Sequence, residues 1–248
     1  MRHVLFSLLL ATGTAHAKDA AEIIDDARNA QRLGNTIQTV KMVLVSKSGR
    51  EQTRTLDLRS RRDGDVVRTY ARFLEPSDVA GTQFVLVDNP DRVDEQLMYL
   101  PALGRVTRIS GKGRGGSFMG SDFKYEDFEI ENDAEAQHTV LSEDDGEWVL
   151  ETTPGAGSSY AKIRTQIPKA DKLPRKVEYF DKAGNLTREL RIEKVREVNG
   201  VTTPTLTIMQ NKRRGTSTRM EVVDIRVNVD SEELPDEVFS AAYMEENG

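Results

Sequence analysis

The sequence predicts a mainly β (α+β) protein built on one large antiparallel sheet of about 11–12 strands. Three observations support this prediction. Apolar and polar residues alternate in short runs after residue 35, tight turn sequences separate these runs, and only one long stretch has helical spacing. Strands joined by short turns pair with their neighbours, and the lack of alternating long helices in the sequence argues against a parallel α/β sheet.

The first seventeen residues have the three-part pattern of a secretory signal peptide. Met1-Arg2-His3 is followed by an apolar run over residues 4–11, and Ala15-His16-Ala17 stands just before Lys18. We expect cleavage after Ala17, so that residues 1–17 are the signal peptide and residues 18–248 form one exported domain. No later segment approaches the roughly eighteen apolar residues that a membrane-spanning helix needs.

One amphipathic helix is predicted at the start of the mature chain. Ala21, Ile24, Ala27 and Leu33 recur at helical spacing, and Gly34-Asn35 follows as a stop signal. Beyond it the period changes to two, which is typical of strands. The predicted strands lie at residues 40–44, 55–59, 67–73, 82–87, 96–100, 105–109, 137–141, 147–152, 160–167, 175–180, 186–198, 205–210 and 218–229.

Composition limits the chemistry that the chain can perform. The 248 residues are 37% hydrophobic and 31% charged, carry a net charge of −6 and include no cysteine. The acidic balance argues against nucleic acid as a partner. Thiol nucleophiles and disulfides are excluded, and His138 is the one histidine of the mature chain. We therefore predict no catalytic residues, no metal site and no cofactor.

A glycine-rich loop and an aromatic segment are the features most suggestive of function. Residues 111–116 contain Lys112 and Arg114 among glycines, which favours a mobile loop. Residues 118–128 then hold five large apolar groups, and Ser121 or Asp122 is suited to cap a short helix there. This segment is either a satellite core cluster or a lid over a ligand cavity. Lys212-Arg213-Arg214, at a predicted hairpin tip, is interpreted as a solvated turn.

Two segments resemble a known family. They are Leu97-Met98-Tyr99-Leu100-Pro101, followed by Arg105, and Met119-Gly120-Ser121-Asp122-Phe123-Lys124-Tyr125-Glu126-Asp127. The sequence resembles the LolA-like periplasmic outer-membrane lipoprotein-sorting proteins, in the branch associated with resistance-nodulation-division exporters, over nearly the whole mature chain. The resemblance implies a single unclosed antiparallel β-barrel with a helical lid over an apolar concavity that accepts acyl chains.

The resulting expectation is a periplasmic, non-enzymatic carrier that binds a lipid, a lipoprotein acyl chain or a similar hydrophobic cargo and ferries it toward the outer membrane. We expect a monomer without a membrane span, whose partners are this cargo and an inner-membrane exporter. Because side chains alternate between the two faces of a strand, an error of one residue in its assigned register would move all of its expected lining residues to the other face. The expected lining residues are Met42, Leu44, Tyr70, Phe84, Leu86, Met98, Leu100, Phe118, Met119, Phe123, Trp148 and Met209.

Three alternatives remain at this point. The protein is an accessory subunit that docks on an exporter through Lys112 and Arg114, a hydrolase that uses Ser121 and Asp122, or an outer-membrane barrel. The hydrolase lacks a nucleophile-elbow motif and a histidine nearby in sequence. The barrel conflicts with a polar outer face and with helical lid segments.

Overall fold

The computed structural model describes residues 18–89, 94–129 and 135–248, so the predicted signal peptide lies outside the described residues. Within these ranges there are two α-helices, α1 (Ala20–Ala30) and α2 (Ala241–Glu246). The strands are β1 (Thr36–Val45), β2 (Glu51–Asp63), β3 (Val66–Glu75), β4 (Gln83–Asp88), β5 (Glu95–Leu100), β6 (Arg105–Ile109), β7 (Gln137–Glu143), β8 (Glu147–Thr153), β9 (Tyr160–Pro168), β10 (Lys176–Asp181), β11 (Leu186–Val198), β12 (Val201–Asn211) and β13 (Thr216–Val227).

Helix α1 confirms the predicted opening helix. The Asp19 carboxylate accepts a hydrogen bond from the Glu22 backbone N–H at 2.8 Å, which satisfies one of the donors exposed at the helix start. The buried face of the helix, formed by Ala20, Ile23 and Ala27, packs on Trp148, Leu150 and Ile167. In the described part of the chain, no helix is long and apolar enough to cross a membrane.

All thirteen described strands form one antiparallel sheet, in the order β6-β5-β4-β3-β2-β1-β13-β12-β11-β10-β9-β8-β7. Strands that follow one another in sequence are neighbours in the sheet, except for β6 and β7. The first and last strands, β1 and β13, pair in the middle of the sheet, so β6 and β7 become its two edges. The count exceeds the expected 11–12 because each predicted run forms a strand of its own.

The sheet curls strongly. Gln96 on β5 donates to the Tyr125 carbonyl, and Tyr160 on β9 donates to Asp127 only two residues further along the chain, although β5 and β9 lie nine strand spacings apart in the sheet order. In a flat sheet that separation is about 43 Å, at roughly 4.8 Å per strand. The sheet is therefore an unclosed barrel, as the sequence predicted. Its inner face is the one that carries Phe84 and Tyr179.

Both faces of the sheet are covered near β3 to β6. The C-terminal segment packs its apolar residues, Val229, Leu234, Val238, Phe239 and Met244, on the outer face. There it meets Tyr70, Val85 and Tyr99. Gln83 connects the two layers, because it accepts a hydrogen bond from the Tyr70 hydroxyl at 2.9 Å and donates one to the Met244 carbonyl at 2.8 Å. This outer cover makes residues on both sides of β3 to β5 buried.

Candidate functional site

The aromatic segment at residues 118–128, called the lid segment below, lies within the connection from β6 to β7. Because these strands are the two edges of the curled sheet, their connection crosses the inner face. It forms two 3-10 turns, Phe118–Gly120 and Tyr125–Phe128, where the sequence predicted one short helix. Met119 and Gly120 both have positive φ, 49° and 73°, and this reversal brings the Phe118 N–H to the Phe123 carbonyl at 2.8 Å.

Aromatic rings of the lid segment fill the inner face. The Phe118 ring lies 5.3 Å from Phe84 on β4 and 5.1 Å from Phe128, measured between centroids. Phe128 in turn stacks on Phe123 at 5.9 Å. Phe118 and Phe123 are only 3% and 5% exposed. The apolar inner face is thus occupied by side chains that the chain itself supplies.

Most of the expected lining residues meet in this one cluster. The strand residues among them lie on the inner face and the lid residues pack against them, and the members are Met42, Leu44, Phe84, Leu86, Met98, Leu100, Phe118, Met119, Phe123 and Met209. Further members were not among the expected lining residues, and they include Leu56, Phe73, Tyr125 and Phe128, which the same alternation and the aromatic density of the lid segment indicate. Whether cargo contacts any of these residues stays a prediction.

Two expected lining residues lie elsewhere. Tyr70 alternates with Ala71, and since Ala71 pairs with Phe84 on the inner face, Tyr70 points to the outer face and packs under the C-terminal segment. Trp148 pairs with Ile167 on the inner face, but α1 covers it in a separate cluster. The corrected lining set therefore omits both residues.

Side chains, rather than strand pairing, attach the lid segment to the sheet. In the described residues, its backbone–backbone hydrogen bonds stay within positions 116–129. The Asp122 carboxylate accepts hydrogen bonds from Thr216 Oγ1 at 2.6 Å and Thr218 Oγ1 at 3.1 Å. On the other side, Gln96 Nε2 donates to the Tyr125 carbonyl at 3.0 Å, and Arg54 donates to the Met119 carbonyl. These tethers can separate without breaking the sheet.

A buried charged network closes one end of the lid segment. The Asp127 carboxylate accepts hydrogen bonds from the Tyr160 hydroxyl at 2.5 Å, the Lys124 backbone N–H at 2.7 Å and Arg188 Nη1 at 3.3 Å. Burial raises the pKa of Asp127 well above its usual range, and the nearby Glu126 raises it further. Burial also lowers the pKa of Arg188, to about 10.

Beside this network the surface opens into polar cavities. One, of about 580 Å³, is lined by residues that include Lys124, Tyr160, Asp181, Arg188, Arg213 and Arg214. A smaller one, of about 140 Å³, lies between the β1–β2 turn and the lid segment and shares Arg214. The sequence alone does not reveal this site, because its side chains come from separate hairpins and from the lid segment.

The glycine-rich loop is partly tied down. Residues Gly111–Gly115 form a 3-10 turn, and Arg114 makes an ion pair with Glu129, whose side chain is 3% exposed. Lys112 is exposed. Docking of this loop on an exporter stays a prediction.

The groups considered for a hydrolase have structural partners. Ser121 Oγ accepts a hydrogen bond from the Phe123 N–H at 3.2 Å, and the Asp122 carboxylate is held by the two threonines. His138 lies on the edge strand β7, with Nδ1 2.9 Å from Thr152 Oγ1. These contacts favour a structural role for all three side chains.

Comparison with solved structures identifies the family. A domain from Vibrio parahaemolyticus, described as an outer membrane lipoprotein-sorting protein domain, is 31% identical to this chain over 91% of this chain and 98% of its own, with a TM-score of 0.81. The chain belongs to the LolA-like lipoprotein-sorting family. This LolA-like protein also shares its fold with a DUF1329 family protein from Desulfovibrio piger, at 23% identity, 90% and 97% coverage and a TM-score of 0.82.

A third structure, a LolA superfamily protein from Nitrosomonas europaea, is 19% identical over 92% of this LolA-like protein and 100% of its own chain, with a TM-score of 0.71. A family model described as an uncharacterized protein matches residues 65–246. Among curated proteins, none matches the chain.

Proposed function

We propose that the protein is a periplasmic, non-enzymatic carrier in which an acyl chain takes the place of the lid segment on the inner face of the barrel. One observation carries the proposal. The inner face is filled by aromatic side chains from a segment whose backbone is not paired with the sheet, so this filling can leave while the sheet remains intact. The carrier class also fits the description of the Vibrio relative.

An acyl chain and the lid side chains gain comparable hydrophobic free energies when they are buried on the inner face. A sixteen-carbon chain gains on the order of 12 kcal/mol on leaving water, at about 0.8 kcal/mol per methylene. The lid segment buries Phe118, Met119, Phe123, Tyr125 and Phe128 wholly or in part. At about 1.5–3 kcal/mol for each fully buried side chain, these five contribute at most roughly 8–15 kcal/mol. Exchange of lid for cargo is therefore close to balanced, which suits a protein that must load its cargo and also release it.

Polar tethers make this exchange reversible. Asp122 and Asp127 hold the lid segment through hydrogen bonds that water can replace when the lid moves out. The empty protein then shields its apolar face from the aqueous compartment. We expect that compartment to be the periplasm, because the first seventeen residues have the pattern of a signal peptide.

Titration with a fluorescent fatty acid tests the proposal. The purified mature chain should bind it with saturation near one equivalent. Leu44→Glu places a charge within the apolar cluster and should weaken binding while the circular dichroism spectrum stays native. Val195→Glu is the matched control, because this β11 residue is 43% exposed and the same charge enters water there.

Binding that does not saturate, or equal affinities for the two variants and the unmodified protein, would contradict a carrier that uses this face. Turnover of an ester substrate that Ser121→Ala abolishes would instead indicate a hydrolase.

A further inference from the structure

The larger polar cavity has a surplus of positive charge. Four cations line its described wall, Lys124, Arg188, Arg213 and Arg214, together with one carboxylate, Asp181. It lies where the lid segment meets the ends of β9 to β12. At about 580 Å³ it is within the size range of small-molecule sites, roughly 300–1,000 Å³, and is much larger than a single anionic group.

The cations differ in how well they are neutralised. Lys124 Nζ lies 3.2 Å from Glu126, and Arg188 lies 3.3 Å from Asp127. Arg213, 73% exposed, reaches Asp181 only at 4.0 Å. In the described part of the chain, Arg214 has no ion pair.

Arg214 also lies close enough to Arg188 to act on its charge. Burial is the main cause that lowers the pKa of Arg188 to about 10; the Asp122 carboxylate opposes this shift and the charge of Arg214 adds to it. The turn that carries Arg214 is fixed, since its backbone N–H donates to Asn211 Oδ1 at 3.0 Å. The cavity therefore holds guanidinium groups that favour an anion between them.

Phosphate matches this arrangement in shape and charge. A guanidinium offers a planar fork of N–H donors that binds two oxygens of one phosphate, and such charge-assisted hydrogen bonds are about twice as strong as neutral ones. The amide group of Asn211, whose oxygen accepts from the turn, adds N–H donors to the same wall.

We propose that this cavity binds the phosphate group of an amphiphilic cargo, whose acyl chain replaces the lid segment on the inner face. The proposal rests on the carrier function above and specifies the cargo as a phosphate-bearing lipid. Arg188 links the two parts of the site. It donates to the Asp122 carbonyl at 3.0 Å and to Asp127 at 3.3 Å, so a phosphate that engages Arg188 competes directly with the lid segment. Head-group binding thereby promotes opening.

A pair of lipids that differ only in the phosphate provides the test. Oleoyl lysophosphatidic acid and monooleoylglycerol are titrated, below their critical micelle concentrations and at constant ionic strength, into the mature protein and into Arg213→Gln/Arg214→Gln. Both residues lie at an exposed turn, so the variant should fold. Lys194→Gln/Arg196→Gln, exposed on β11 and outside the cavity, is the charge-matched control.

The phosphate lipid should bind the unmodified protein at least about tenfold more tightly than the neutral lipid, since a hydrogen bond to a charged group is worth about that factor. Arg213→Gln/Arg214→Gln should remove this preference and leave the affinity for monooleoylglycerol unchanged. The control variant should behave as the unmodified protein does.

Equal affinities of the unmodified protein for the two lipids would overturn the phosphate site while leaving the carrier function intact. Inorganic phosphate alone, titrated by calorimetry, separates the two proposals further. If neither lipid binds but phosphate binds and is lost in Arg213→Gln/Arg214→Gln, the cavity is a site for free phosphate and the cargo proposal is wrong. If neither lipid binds and inorganic phosphate also fails to bind, both proposals are wrong.

Discussion

Phe118→Ala should loosen the lid segment without unfolding the sheet. The Phe118 ring is 3% exposed and contacts rings from β3, β4 and the lid segment itself. Truncation of a buried phenylalanine costs about 3–5 kcal/mol. Because the lid backbone is not paired with the sheet, the lid segment can open while the sheet stays folded, and this cost lowers the free energy of lid opening. The equilibrium constant for lid opening should therefore rise by roughly 10² to 4 × 10³.

Native-state hydrogen exchange measures this shift. The Phe118 amide, bonded to the Phe123 carbonyl at 2.8 Å, and the Ser121 amide, bonded to the Phe118 carbonyl at 2.9 Å, should lose protection by that factor. Amides of β3 should exchange at a higher free energy than the lid amides in both proteins, because their exchange requires the sheet to open as well. Phe73→Ala is the matched control, since Phe73 is 0% exposed, lies 6.0 Å from Phe118 and belongs to β3.

In Phe73→Ala the lost packing free energy should appear as a lower urea midpoint for global unfolding. If the lid segment and β3 instead exchanged with the same free energy in both proteins, the two would open together. The lid segment would then be an ordinary part of the core, and the proposed exchange with cargo would fail.

Two further predictions concern pH and the opening helix. Asp127, which faces Tyr160, Arg188 and Glu126, has its pKa raised mainly by burial, so its proton stabilises the closed lid at low pH and this stabilisation is lost as pH rises through the raised pKa. Lid exchange, corrected for intrinsic rates, should increase over that range, and Asp127→Asn should remove the dependence; an unchanged slope in this variant would contradict the assignment. Asp19→Ala should lower the free energy of unfolding by about 1 kcal/mol in urea titrations, because it removes the cap of α1. Asp25→Ala, on the same helix but without a capping contact, should cost clearly less, and equal losses would show that the cap contributes nothing.

Local patterns predicted the elements well because the physics that forms them is local. The spacing from Ala21 to Leu33 corresponds to α1, and each alternating run became a strand. Alternation also chose the right face for most of the lining. Tyr70 was placed on the inner face because the sequence gives no sign that the C-terminal segment covers the outer face of β3. A hydrophobic residue looks the same in the sequence whether it is buried on the inner face or on the outer face of the sheet.

Non-local pairing explains what the sequence could not show. Nothing in either strand indicates that β1 pairs with β13, yet this pairing makes β6 and β7 the edges and carries the lid segment across the inner face. The cationic cavity has the same origin. Lys212-Arg213-Arg214 is a turn, as interpreted, but the fold brings Arg188 from β11 and Lys124 from the lid segment to its side.

A reversible lock on the lid segment tests most directly whether cargo and lid compete for the inner face. The chain has no cysteine, so a single engineered pair is unambiguous. Asp122→Cys/Thr218→Cys joins the lid segment to β13 where the two side chains now meet at 3.1 Å. Fluorescent fatty acid should not bind the oxidised protein and should bind at near one equivalent after reduction. Equal binding in the two states, with the disulfide confirmed by mass, would contradict the exchange of lid for cargo.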